Sequence, residues 1–251
     1  MQSMLLYATL LVLGVAAWFL STIAAGGAAT LLIPLLGFLL GAQAVAPVLS
    51  VACLCANPSR IWLFRHDLDL LVCRWLLAGS LLGAFFGAMA LTRISRDWTN
   101  VVIGLFLLSY VLQYRFGRRR LNWRLPAAAF LPVGFGTAFV SGLVGATGPV
   151  LNPFLLNYGL RNNALVATKA ANSLLMQLTK ILAYGLFGAL DPRLFGYGVV
   201  LGIGSVGGVL LARRHLYRVT TDRFTLYTLT LIALSGAFML WRGLWALLWE
   251  Q

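Results

Sequence analysis

Apolar runs long enough to cross a bilayer recur along the whole chain, and they leave few folds open. A helix needs about 20 such residues to span the hydrocarbon core. Runs of this kind fall near 4–24, 44–65, 70–92, 98–115, 126–143, 163–188, 194–212 and 224–247. Two shorter pieces, 28–41 and 148–159, follow glycine-containing breaks. Lipid offers no water to backbone polar groups, so spanning segments must satisfy their own N–H and C=O groups. The expected fold class is therefore all-α, a polytopic transmembrane helix bundle. Charged residues make up only 10% of the chain and hydrophobic ones 61%. Soluble domains carry about 25% charge, so no soluble domain is expected.

One stretch breaks the apolar rule. Between Phe139 and Leu182 lie the only two lysines of the sequence, Lys169 and Lys180. The same stretch holds a glycine-broken turn, from Ser141–Gly142 to Thr147–Gly148–Pro149. Charge and irregular backbone are both costly at membrane depth and persist where they line a cavity or a site. At 3.6 residues per turn, Lys169, Asn172, Ser173, Met176 and Lys180 share a narrow arc, the lysines about 16 Å apart along the axis. Such a stripe belongs in the bundle interior or a wet cavity. Asp67, Asp69, Asp97, Asp191, Asp222 and Glu250 all fall at expected loops or ends. No mid-span carboxylate balances the lysines, and an unbalanced positive cavity suits an anion.

The stretch has an earlier echo. "AAGGAATLLIPLL" (Ala24–Leu36) matches "VGATGPVLNPFLL" (Val144–Leu156), with Pro34 answering Pro153. "NPSRI" (Asn57–Ile61) matches "QLTKI" (Gln177–Ile181), which aligns Arg60 with Lys180. Gly83 and Gly87 recur as Gly204 and Gly208. An ordered series of matches points to a duplicated unit: a first transmembrane repeat over 1–114, a basic linker over 115–125 and a second repeat over 126–251. If the short pieces count as crossings, each repeat has an odd number and the two are inverted. The arginine-rich loops 115–124 and 213–223 then share the cytoplasmic side, as the positive-inside rule prefers. If the short pieces are re-entrant, as their length argues, each repeat has four crossings and the two loops fall on opposite sides. Cys53, Asn57 and Arg60 share one helix face, although Arg60 is also placed to snorkel beside Arg65 and His66. The ladder Gly79, Gly83, Gly87 reads as a close helix-packing face.

The net charge of +13 does not imply nucleic acid, because the arginines cluster in loops, where they set orientation and attract anionic headgroups. "MQSML" lacks the basic flank of a signal peptide, so the first run is expected to remain as a helix. Cys53, Cys55 and Cys73 have neither metal nor disulfide spacing. No Ser–His–Asp set or P-loop is present, so a membrane-embedded enzyme or an assembly subunit is the weaker alternative, and no catalytic residue or metal ligand is assigned.

A doubled unit that opens with "GG…P" and closes with a glycine-laddered helix resembles the TauE/SafE family of sulfite and organosulfonate exporters, from about Ser21 to Arg242. The resemblance implies a bacterial inner-membrane protein without organic cofactor that exports small sulfur-containing or other organic anions. Taken with the residues, it makes the chain a secondary transporter. Arg60, Lys169 and Lys180 would supply positive charge, and Asn57, Thr147, Asn172, Ser173 and Gln177 hydrogen bonds. The expected partners are a small anion and membrane lipids, with homo-oligomerisation left open.

Overall fold

The computed structural model describes residues 2–23, 28–58, 65–116, 125–146, 150–160, 162–215 and 221–249. Among these are ten α-helices: α1 (Gln2–Ile23), α2 (Ala28–Leu40), α3 (Ala42–Ala56), α4 (Leu70–Arg93), α5 (Arg96–Phe116), α6 (Phe130–Val144), α7 (Asn152–Tyr158), α8 (Asn162–Leu186), α9 (Pro192–His215) and α10 (Thr221–Trp249). Short 3-10 turns at Arg65–Asp67 and Ala127–Ala129 precede α4 and α6. The fold is all-helical among the described residues.

Helix ends follow local chemistry. Asp69 caps α4, its Oδ1 accepting from the Val72 N–H at 3.0 Å. Asp191 does the same for α9, accepting from the Leu194 N–H at 2.6 Å. α6 stops at Gly145 (φ +104°) and α7 at Gly159 (φ +115°), conformations that L side chains rarely adopt. The continuous run expected over 44–65 is interrupted: α3 ends at Ala56 with Asn57 as its cap. Pro58 explains this, since it has no N–H to return to the preceding turn and its ring crowds that turn's carbonyl.

Among the described residues, four helices are long and apolar enough to cross a membrane by length and composition: Leu70–Arg93, Ala127–Val144, Pro192–Ala212 and Leu229–Trp249. Met4–Leu20, α2 and α3 are apolar but shorter. α8, at 25 residues, has the length but carries the polar stripe. Leucines, phenylalanines and tryptophans stand exposed along α4, α9 and α10, the surface expected where the solvent is lipid.

α3 is the hub. It is buried over most of its length and packs against α2, α5, α6, α8 and α9. The other principal pairs are α4 with α6, α1 with α9, α5 with α10 and α4 with α8. Glycines let two of these pairs approach backbone to backbone. A Cβ at Gly79, Gly83 or Gly87 would collide with the carbonyl oxygens of Leu131, Phe135 or Phe139 on α6, in that order. A Cβ at Gly204 would lie 2.5 Å from the Leu11 carbonyl oxygen, and one at Gly208 would strike that of Val15.

These contacts also give helix directions. Numbers rise together across α4/α6, α1/α9 and α3/α9, where Gly198 meets Val48 and Val51 and Gly202 meets Ala52 and Cys55. They rise together across α4/α8, where Asp69 meets Thr168 and Ala84 meets Met176. They run opposite across α5/α10, where Gly104 meets Leu240 and Gly243 meets Asp97. They also run opposite across α3/α8, where Asn57 meets Ser173 and Ser50 meets Tyr184.

Candidate functional site

α8 runs from Asn162 without proline, and without glycine until Gly185, so its polar stripe keeps helical spacing. The stripe faces inward, with Lys180 wholly buried and Thr168, Asn172, Met176, Gln177 and Tyr184 all buried. Two ends of chain meet it: the C-terminus of α6, where the helix breaks, and the start of α7.

At the first end, α6 leaves carbonyls without intrahelical donors, as every helix does, and in a dry interior those oxygens need partners. The Lys180 ammonium donates to Gly145 O at 3.0 Å and Ser141 Oγ at 3.1 Å, and at 3.3 Å it shares Ser141 O with the Gly145 N–H, which donates there at 2.8 Å. The Tyr184 hydroxyl donates to Gly142 O at 2.5 Å. One turn of α8 thus covers one turn of α6. The partial negative charge at a helix C-terminus favours a cation there. α3 closes this centre from the other side, with Cys53 near Lys180 and Ser50 beside Tyr184.

At the second end, Lys169 donates to Asn152 Oδ1 in the first turn of α7. The two lysines therefore hold opposite lips of one break. Between them, Asn57 Nδ2 donates to Ser173 Oγ at 2.8 Å, bringing the end of α3 to the stripe. Asn172 Oδ1 and Gln177 Oε1 are buried without a hydrogen-bond partner among the described residues. A buried amide oxygen without a donor is costly and marks a place for a ligand or water.

Of the residues expected from sequence, Asn57, Lys169, Asn172, Ser173, Gln177 and Lys180 come together on or beside α8. Arg60 and Thr147 lie outside the described residues. Sequence reasoning missed Asn152, Ser141 and Tyr184. Tyr184 follows Lys180 by one helical turn on the same face, and Asn152 is a polar residue directly after the break, so both had a legible signal. Ser141 had none beyond its place before the break, because what matters there is mostly backbone oxygen.

Among the described residues no group of three or more His, Cys, Asp or Glu converges as a metal site would require. The carboxylates Asp67, Asp69, Asp97 and Asp191 sit at helix ends or in turns; the turn that holds Asp67 packs on α8, and the Asp69 N–H donates to Thr168 Oγ1 at 3.4 Å, next to Lys169.

The family model described as "Sulfite exporter TauE/SafE" matches residues 10–239, a span that contains α2 to α9, most of α1 and α10, and the whole stripe. No curated protein and no solved structure matches the chain. With nearly the entire sequence covered, this all-helical, lipid-facing chain belongs to the sulfite exporter TauE/SafE family of membrane transporters.

Proposed function

We propose that the protein is a secondary transporter that exports a small anion, sulfite or an organosulfonate or related organic acid, across a bacterial inner membrane. The observation that carries the proposal is the pair of buried amides, Asn172 and Gln177, whose oxygens have no hydrogen-bond partner among the described residues, on the helix that also bears Lys169. An amide can present either its oxygen or its NH₂ to a ligand. With the NH₂ turned inward, Asn172 and Gln177 donate to an anion that Lys169 attracts by charge. Ser173 and Asn57 complete the hydrogen-bonding set, and Arg60 and Thr147 are retained from the sequence as further candidates. Lys180, its hydrogen bonds already spent on α6, adds positive potential rather than a direct contact.

The same reading takes the chain as two inverted repeats, 1–114 and 126–251, joined by the basic linker 115–125. Helix directions support it. From the parallel and antiparallel pairs described above, α1 opposes α6, α3 opposes α8, α4 opposes α9 and α5 opposes α10. Packing partners also exchange: α1 with α9 answers α6 with α4, and α3 with α9 answers α8 with α4. Alternating access then follows from one repeat rocking against the other around the stripe. Nothing in this reading calls for catalysis or an organic cofactor.

The test is flux of labelled sulfite and of labelled organosulfonates in proteoliposomes with and without the protein. Protein-dependent flux that is lost in Asn172→Leu supports the proposal. Equal flux in empty vesicles for every small anion tried rejects it.

A further inference from the structure

A broken transmembrane helix presents two unlike ends. Anionic substrate groups are drawn to the N-terminal end of one half, while the carbonyls at the C-terminal end of the other hold a coupling cation in transporters built this way. In this protein the C-terminal end is that of α6, and its oxygens are already engaged. Ser141 O, Ser141 Oγ and Gly145 O surround the Lys180 Nζ at 3.0–3.3 Å. An ammonium has three N–H donors, and three oxygens meet it here. The neighbouring carbonyl, Gly142 O, takes the Tyr184 hydroxyl. Lys180 has no solvent exposure, so water does not share in this coordination.

We propose that the Lys180 ammonium is a tethered cation occupying the place of a coupling sodium ion at the end of α6, so that this protein moves its anion without sodium. The inference rests on the transport reading above for its functional half, but the site itself is testable in the protein alone. Charge and space both exclude a second cation while Lys180 is present. The carbonyls and the serine hydroxyl are hard oxygen ligands of the sort an alkali cation takes, and they keep their arrangement as long as something positive holds it. Lys180 is thus a positioning residue that fixes the broken end of α6 and cancels the negative potential an incoming anion would otherwise meet.

The experiment compares wild type, Lys180→Ala and Lys180→Arg in sodium, ammonium or N-methylglucamine chloride at equal ionic strength. Thermal unfolding of the purified protein is one readout and anion flux in proteoliposomes the other. Wild type is expected to unfold at the same temperature in all three salts. Lys180→Ala should unfold earlier in N-methylglucamine and recover by about 3 °C or more in sodium or ammonium, a small cation refilling the vacated oxygens. Lys180→Arg keeps a charge but not the compact ammonium, and should recover less than Lys180→Ala does with ammonium. Flux by wild type should be unchanged when sodium is withdrawn from both sides.

Sodium-dependent flux or sodium-dependent stability in wild type overturns the proposal. So does a folded Lys180→Ala protein whose unfolding temperature no small cation raises. If Lys180→Ala does not fold in any of the salts, the wild-type comparison still decides between a tethered and a bound cation. Absent flux with the stability pattern intact would reject the transport reading and leave the tethered cation standing.

Discussion

Asn57 and Ser173 are joined by a hydrogen bond of 2.8 Å across 116 residues of sequence, so the end of α3 is fastened to the middle of α8. Neither residue is charged, and the bond lies where lysines approach from both sides along the stripe. In membrane proteins such inter-helix bonds average about 0.6 kcal/mol and seldom exceed about 1.7 kcal/mol. Asn57→Ala and Ser173→Ala should each lower stability by an amount in this range, and the double variant by little more than one. A double-mutant cycle on chemical unfolding measures the coupling, and fully additive losses would mean the bond contributes nothing.

Lys169→Gln should weaken anion binding about ten-fold or more, because a hydrogen bond to a charged group is worth about 1.5–3 kcal/mol. Its effect on stability should be smaller, since the glutamine amide still reaches toward Asn152. Lys169→Arg retains charge but changes shape and hydration, and should fall between the two. Calorimetric titration with sulfite or an organosulfonate gives the affinities. Equal affinity in wild type and Lys169→Gln would place the anion elsewhere.

Tyr184→Phe removes one hydroxyl and leaves the Gly142 carbonyl without its donor. A buried acceptor left unpaired costs about 1–3 kcal/mol. Stability should drop by that amount while affinity for the anion, bound nearer Lys169, stays within about two-fold, the spread such contact-free changes allow. Thermal unfolding and the same titration check both halves of the expectation.

Gly83→Leu and Gly204→Leu should prevent folding, since even a Cβ at either position would collide with a backbone carbonyl oxygen. Gly136→Ala is the matched control: it lies on α6, where nothing stands within 4 Å of a new Cβ, and helix propensity favours alanine. Monodisperse yield after detergent extraction reports the outcome. Normal yield of both leucine variants would mean the helix faces separate readily.

Topology offers a fifth test. In the inverted arrangement, Ser95→Cys and Gly188→Cys react with an impermeant thiol reagent from the outer side, and Gly117→Cys and Leu216→Cys from the cytoplasmic side. Labelling of Gly117→Cys and Leu216→Cys from opposite sides would reject the inversion.

Much of the fold was legible because membrane helices announce themselves by length and composition. The glycine break before Pro149 and the polar face of α8 were also legible, since both cost free energy in lipid and so stand out against it. What Lys180 does was not. Its spacing from Lys169 puts it on the right face, but its partners are a serine and two backbone carbonyls some 40 residues earlier, and a backbone carbonyl has no letter in a sequence. The glycine ladders show a different limit. Identity matching pairs Gly83 and Gly87 with Gly204 and Gly208. If α1 is laid on α6 so that Leu11 meets Leu131, the packing instead pairs Gly79 with Gly204 and Gly83 with Gly208. A ladder with a glycine at every fourth position looks the same after slipping one turn, so only the opposing backbone reveals its register.

The close seam between α1 and α9 bears on how the chain is made. Leu11 and Gly204 are neighbours, yet about three-quarters of the polypeptide is synthesised between them. At roughly 5–20 residues per second, α1 resides in the bilayer on the order of 10 to 40 s before the surface it fits against has emerged from the ribosome. Through that interval its glycine-bearing side rests against lipid or a chaperoning insertase. A nascent chain arrested after α8 would hold every residue of the stripe in place along one helix and still leave α1 without its seat.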